Sequence, residues 1–510
     1  MMIGRRQRVP EADVCLMLEG TYPFVAGGVS TWVHDLIRAQ SPLTFHLVSV
    51  LAKGPAPAAR YDLPDNVVGH TLVFLHEMPG GPRQAPTRLD PLMRRLGVTL
   101  ERLFTGADLS DLARFQALIA PWRRRLGRRQ LMDSKAAWAV ILDMYERAMP
   151  AASFSDYFWT WRSLCGSIFA CMLAELPPAR VYHALSTGYG GLLAARAGLE
   201  TGRPVLLTEH GIYTNERRIE VAAADWLYET RRGSLSLEQT GHDLREVWIR
   251  TFVSLSRLCY DACDQIITLY AGNQVLQRED GAAPERQRII PNGIDYARLS
   301  ALPRETDPGR RPTIALIGRV VPIKDVKTYI RAAAMLREHI ADVEALVLGP
   351  YDEDPDYHAE CLAMVRHLRL EETVRFTGRV PMHTWLPRID VVVLTSISEA
   401  QPLVILEAGA AGIPTVATNV GACSEMILGR PEEDPPLGPG GAITPLANPA
   451  ATSRALLGLL ADPDWRAACG AAIRRRVERL YNKTDIDRAY ADLYAGMIAQ
   501  PDRPSVRASA

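Results

Sequence analysis

Residues 391–418 read VVVLTSISEAQPLVILEAGAAGIPTVAT. The opening run Val391–Thr395 is apolar and β-branched, short enough for a buried strand. A polar loop with Ser398 and Glu399 follows, and a helix is expected from about Pro402, a residue suited to a first helical turn. Gly412-Ile413-Pro414 breaks that helix, and Thr415–Thr418 turns β-branched again. Strand, loop, helix and strand in this order form a βαβ unit, whose two strands run parallel.

The same alternation extends upstream. Thr313–Ile317 is a strand ending at Gly318-Arg319, Ala345–Leu348 one ending at Gly349-Pro350, and Val374–Thr377 one ending at Gly378. Helices fill about Asp325–His339 and Tyr357–Arg369 between them. Downstream, the Gly- and Pro-rich stretch 429–448 reads as a loop, helices follow, and the chain after Gln500 has the composition of a disordered tail. A Pro-rich polar segment, Pro303–Pro312, reads as a linker.

Before that linker the alternation appears once more. Strands are expected at Val14–Leu18, Phe45–Leu51, Val67–Phe74, Arg180–Leu185, Pro204–Thr208 and Gln265–Leu269, and PNGID follows Arg288–Ile290. Gly27 and Gly28 make a turn, with Ser30 as N-cap of a helix over Thr31–Ile37. Further helices are expected within Gly188–Gly198 and from the TEHG corner to about Ala262. Residues from about 80 to 175 break the rhythm with a helical insertion, Arg-rich at PWRRRLGRRQ (121–130) and aromatic at FSDYFWTW (154–161). Arg123, Arg124, Arg125, Arg128 and Arg129 are expected on a solvated helix face, the alternative being a surface that docks an acidic partner or membrane lipid. The chain is thus α/β, with two Rossmann-like domains, the first carrying a helical insertion. Ligands of such sheets bind outside the carboxyl ends of the strands. Two such domains are expected to face a central cleft.

Bulk composition narrows the function. Lys+Arg and Asp+Glu are both 58, which argues against a nucleic-acid binder. Only five residues are lysine, so Lys324 in a motif position carries more information than an arginine would. Eight cysteines without a framework suit a reducing compartment, and Cys259 and Cys263 read as core thiols. The N-terminal residues lack the apolar core of a signal peptide, and no run approaches the ~20 apolar residues of a membrane helix. A cytoplasmic location is expected, with inner-membrane association through partners as a variant.

Chemistry-bearing residues fall at predicted strand ends. Arg319 and Lys324 share one strand-to-helix loop, where cations stabilise a departing diphosphate. Glu399 and Glu407 flank a helix start, whose Leu403 and Val404 amides suit a phosphate, while a carboxylate deeper in accepts two ribose hydroxyls. PNGID (291–295) with Asn292 is a turn between the halves, and the backbone at Arg379 and Val380 suits a planar base. In the first half Gly28 allows close ligand approach, His210 ends a strand, and His183 is a lesser candidate. Asp352-Glu353-Asp354 has the look of a hard-cation site, but the preferred reading is a solvated acidic loop.

Taken in order, GGVS (27–30), TEHG (208–211), PNGID (291–295), GRVVPIKD (318–325) and EAQPLVILEAGAAGIPTVAT (399–418) resemble the retaining GT-B glycosyltransferases of family 4. The stretches EGTYPFVAGGVSTWVHDLI (19–37) and TEHGIYTNER (208–217) look more narrowly like PelF-type enzymes of Pel exopolysaccharide synthesis, which also carry a helical insertion in the first domain. The resemblance implies an acceptor domain over 1–302, a donor domain over 303–484, a helix at about 485–500 that packs back on the first domain, and a tail over 501–510. It implies that Arg319 and Lys324 bind the diphosphate, that Glu407 binds ribose and that Glu399 contacts the donor sugar. By the same resemblance Gly28 lies against the phosphate or acceptor, and His210 bonds the sugar near its reacting carbon. UDP-glucose or a related UDP-sugar is the implied donor, transferred with retention and without a metal or cofactor, the leaving phosphate taking the acceptor proton. The acceptor would be a carbohydrate, with a membrane polysaccharide synthase as a partner through the insertion. Where many relatives have Glu-Pro-Phe-Gly, this chain has Glu399-Ala400-Gln401-Pro402-Leu403, its proline displaced by one. Two alternatives remain: a GT-B-fold nucleotide-sugar 2-epimerase, and a scaffold subunit of a synthase complex.

Overall fold

A computed structural model describes residues 10–83, 88–150, 152–222, 244–305, 307 and 309–503. Part of the helix expected before Ala262, a few insertion and linker positions, and residues 504–510 of the expected tail lie outside these. The chain forms two compact units. The first comprises Met1–Thr268, Gln274–Arg288 and the chain from Tyr490; the second comprises Leu269–Asn273 and Ile289–Ala489.

In the first unit seven strands form one sheet. They are β1 (Ala12–Glu19), β2 (Phe45–Leu51), β3 (Val67–Phe74), β4 (Ala179–Ala184), β5 (Val205–Glu209), β6 (Gln265–Thr268) and β7 (Gln287–Ile289). Their order is β3-β2-β1-β4-β5-β6-β7, and the pairings from β3 through β6 are parallel. The order reverses at β1 and β4, the switch point where ligands of such sheets bind. The first helix spans Gly28–Ala39, so Ser30 is not its N-cap but a buried residue inside it.

Between β3 and β4 the insertion folds as helices Leu89–Thr105, Leu109–Ile119, Lys135–Ala148 and Phe154–Leu173, with short turns between. Their apolar residues, among them Leu100, Phe115 and Trp161, share one core with Met17 and Val48 of the sheet. A buried ion network fastens this layer. Arg196 Nε donates to Glu200 at 2.6 Å, Arg196 Nη1 to the Cys171 carbonyl at 2.5 Å, and Gln116 Nε2 to Glu200 at 2.5 Å. Arg123 reaches the same carboxylate. Burial alone would raise Glu200, but the Arg123 and Arg196 bonds and charges outweigh it and hold the carboxyl at about 2. Arg123 therefore does not lie on a solvated face: it closes a salt bridge the sequence left unpaired. Arg128 and Arg129 also have partners, Asp133 and the Gly81 carbonyl.

The second unit holds β8 (Thr313–Ile317), β9 (Glu344–Leu348), β10 (Val374–Gly378), β11 (Val391–Leu394), β12 (Thr415–Thr418) and β13 (Gly441–Thr444). They pair in parallel in the order β10-β9-β8-β11-β12-β13. Alternation along the strands feeds two cores, one per face. Ile314, Leu316, Val391 and Val393 join one, and Ala315, Val392 and Leu394 join the other. β13 lies inside the stretch expected to be a loop; its four residues, opening on glycine, carry too little β pattern to stand out. Ile294 of PNGID pairs with Asn482, which seats that turn inside the second unit rather than ahead of a linker. Among the described residues no helix is long and apolar enough to cross a membrane.

Replacing Glu200 by Gln strands the Arg196 charge, whose side chain has 0% exposure. Loss of one partner of a buried pair costs ~3–5 kcal/mol. Urea unfolding of Glu200→Gln is expected to lose about that much; a loss below ~1 kcal/mol would show that the network does not hold the insertion.

Candidate functional site

The second unit gathers most candidates at the carboxyl ends of β8, β9, β10 and β11. After β8 the chain makes a short turn, Pro322–Lys324, and then Asp325 in the left-handed region (φ 43°), a conformation that Asp tolerates better than most residues. The Asp325 side chain caps the helix Val326–Arg337 by accepting from the Thr328 amide. Thr395, at the end of β11, donates to the carbonyls of Lys324 and Asp325 at 3.0 and 2.9 Å. This ties the cation loop to the neighbouring strand.

Lys324 Nζ lies 2.5 Å from Glu399 Oε1, with side-chain exposures of 22% and 14%. The Glu399 loop rests on Gly421, where an added Cβ would lie 2.1 Å from the Glu399 carbonyl oxygen. Gly421 has φ +51°, so both space and backbone demand glycine. The Ala422 amide donates to the Ala400 carbonyl at 2.8 Å.

Arg319 takes a different partner. Its guanidinium donates to both oxygens of Glu353 at 2.5 and 2.7 Å, and both side chains are 52% exposed. Asp354 caps the helix Pro355–His367 through the Tyr357 amide. Two of the three acids in the 352–354 loop thus have named roles. No group of three or more His, Cys, Asp or Glu among the described residues is arranged to hold a metal.

Pro402 precedes the helix Leu403–Ala410 as its N-cap, not as a first-turn residue. Leu403 is exposed, and Val404 and Glu407 are half-buried. Burial raises the Glu407 carboxyl, and the Arg298 charge opposes it. Arg379 is exposed and Val380 half-buried, just past β10. Asn292 is joined to this group by a residue not expected to act: the buried Gln401 accepts the Asn292 amide at 2.7 Å through Oε1. Gln401 occupies the position where the motif departs from its relatives, and that departure is the only sequence signal for it.

In the first unit TEHG forms one corner at the end of β5. Thr208 Oγ1 bonds His183 Nε2 at 2.9 Å and the Tyr490 hydroxyl at 3.1 Å, and His183 Nδ1 bonds the Tyr494 hydroxyl at 2.8 Å. His183 is therefore a fully buried structural residue, not a ligand contact. Glu209 accepts from Tyr260 at 2.7 Å, Gln277 at 2.9 Å and the Tyr213 amide at 3.1 Å. Burial pushes its carboxyl up to about 7 against these bonds. His210 lies edge-on to Trp32 at 4.6 Å, and its Nε2 is buried without a hydrogen-bond partner. Trp32 lies on the helix that Gly28 begins. A Cβ added at Gly28 would meet nothing within 4 Å. Glu19, which ends β1 and was not singled out in the sequence, accepts from Tyr213 at 2.7 Å and from the Gly190 amide at 3.1 Å.

Comparison with known proteins adds the family. The family described as a domain of unknown function (DUF3492) matches residues 12–285, more than half of the chain. Glycosyl transferases group 1 matches residues 311–462. A D-inositol 3-phosphate glycosyltransferase of Kineococcus radiotolerans is 32% identical over 216 residues, 39% of this chain and 49% of that protein. The chain thus spans about half of that relative's length. An alpha-maltose-1-phosphate synthase of Mycolicibacterium smegmatis is 26% identical over 63% of this chain and 80% of that protein. Among solved structures, sucrose-phosphate synthase from Thermosynechococcus elongatus aligns with TM-score 0.55 at 17% identity, covering 96% of this chain and 99% of that one. Anabaena HepE in complex with UDP aligns with TM-score 0.55 at 15% identity, covering 95% and 100%. Both show the shared fold.

Burial holds His183 at about 3, with the His210 charge adding to it, and burial holds His210 at about 4. Below the ordinary histidine value of ~6.5 the unfolded chain takes these protons and the folded chain does not, so stability present at pH 7 is lost as pH falls. His183→Gln should therefore fall less steeply between pH 6.5 and 4, by about 1.4 kcal/mol per pH unit in urea unfolding. The difference isolates His183 from the opposite trend of Glu209, and identical slopes would count against its neutral burial.

With two parallel Rossmann-like sheets of the GT-B type and a glycosyl transferases group 1 match confined to residues 311–462, the chain belongs to the DUF3492 domain family, whose model matches residues 12–285.

Proposed function

We propose that the protein is a retaining hexosyltransferase that moves a sugar from a UDP-sugar, UDP-glucose by preference, to a carbohydrate acceptor without a metal. One observation carries this reading: Lys324 and Glu399 are held together at the carboxyl ends of β8 and β11, beside the helix bearing Glu407. A cation fixed at that point supplies positive charge where a leaving diphosphate gains negative charge. Arg319 supports the same role. Its exposed pair with Glu353 is of a kind worth only ~0–1 kcal/mol, so a diphosphate can replace Glu353 at small cost.

In this reading Glu399 turns from Lys324 to the donor sugar, and Glu407 accepts the ribose hydroxyls. The first amides of the helix Leu403–Ala410 hold a phosphate. Gln401 and Asn292 keep the loop in register. In the first unit, burial keeps His210 neutral at pH 7, so its free ring nitrogen can bond a sugar oxygen. The leaving phosphate takes the acceptor proton as the glycosidic bond to it breaks, and the new bond forms on the same face. A role in Pel-type exopolysaccharide synthesis is supported by the wording of residues 19–37 and 208–217.

UDP-glucose hydrolysis and transfer are expected to survive EDTA, and Lys324→Ala is expected to lose at least ~100-fold in rate while remaining folded. Normal turnover by that variant would remove the cation from the mechanism. Conversion of UDP-N-acetylglucosamine alone to an epimer would favour an isomerase instead. The open space at Gly28 gives an independent check. Gly28→Ala should fold as stably as the parent, within ~1 kcal/mol, yet raise the KM for donor or acceptor; unchanged kinetics would show that nothing approaches that backbone.

A further inference from the structure

β9 lies between β8 and β10 in the second sheet, so the loop that follows it stands between the Arg319 loop and the Gly378–Val380 turn. Tyr351 is on that loop. Its ring stacks on His358 at 4.3 Å between centroids with only 16° between planes. His358 in turn meets Phe376 of β10 at 5.2 Å and 62°. Three rings from the loop, the following helix and the strand thus brace one another. Tyr351 is nevertheless 41% exposed.

Gly378 explains how close the ring comes. A Cβ there would lie 3.3 Å from Tyr351 Cε1, and Gly378 has φ +70°. The tyrosine edge therefore lies over the backbone that leads into Arg379 and Val380. Two residues further along the same loop, Glu353 reaches across to Arg319, placing a phosphate-binding candidate on the other side of Tyr351.

We propose that Tyr351 is the nucleobase platform of the donor site: the base of a nucleoside diphosphate stacks on its exposed ring, with His358 and Phe376 as backing. This rests on the donor-site reading above and adds to it a specific residue for the base. An aromatic face accepts any base, so Tyr351 contributes affinity, while the polar edge of the base is left to the backbone at Arg379 and Val380. A ring already stacked on one face loses little side-chain freedom when a base covers the other.

The test is calorimetric titration of the full chain with UDP and, separately, with inorganic pyrophosphate, which has no base. Tyr351→Ala and Tyr351→Leu are expected to weaken UDP about 5- to 150-fold and to leave pyrophosphate unchanged. Tyr351→Phe, which keeps the ring, should bind UDP like the parent. Parental UDP affinity in Tyr351→Ala, or equal weakening toward pyrophosphate, overturns the platform while leaving the donor site standing. Failure of the parent protein itself to bind UDP, ADP or GDP overturns the donor-site reading and the platform with it.

Discussion

The site in the second unit depends on one contact, Lys324 with Glu399 at 2.5 Å. These residues are far apart in sequence and meet because β8 and β11 are neighbours in a parallel sheet. In such a sheet every strand delivers its following loop to the same edge. Thr395 locks the cation loop onto the end of β11, and Gly421 lets the β12 loop press against the Glu399 backbone. The backbone that carries each member of the pair is thus held in place, at Lys324 by Thr395 and at Glu399 by the close approach of Gly421.

The first unit shows a division of labour within four consecutive residues. Thr208 and Glu209 are consumed by structure, one tied to His183 and Tyr490, the other to Tyr213, Tyr260 and Gln277. His210 alone keeps a free ring nitrogen, positioned by Trp32. A carboxyl group buried as deeply as Glu209 is tolerated because three donors surround it. The insertion is part of the same solid, since its helices share the sheet's core and Glu200 draws Gln116 and Arg123 onto Arg196.

How much could be read beforehand follows from the range of each interaction. Phe45–Leu51 and Thr313–Ile317 are strands as expected, because a short buried β-branched or apolar run is a local signal. β13 was missed because four residues opening on glycine take their strand character from pairing with β12. The N-cap expected at Ser30 lies three positions earlier, at Gly27, and Pro402 lies one position outside its helix, both at helix starts, where boundaries are least determined by local preference. Arg123 looked solvated because its partner Glu200 lies across the fold.

By itself, the sequence determined the class of fold, the strand ends on which chemistry could sit, and the residues Lys324, Glu399, Glu407 and His210 as candidates, since these follow from local periodicity and motif spacing. Only the tertiary structure decided who meets whom. It paired Lys324 with Glu399 and Arg319 with Glu353, gave Gln401 to Asn292, withdrew His183 into the core, and stacked Tyr351 on His358. Those choices depend on strand order and close packing across long chain separations, and no local pattern encodes them.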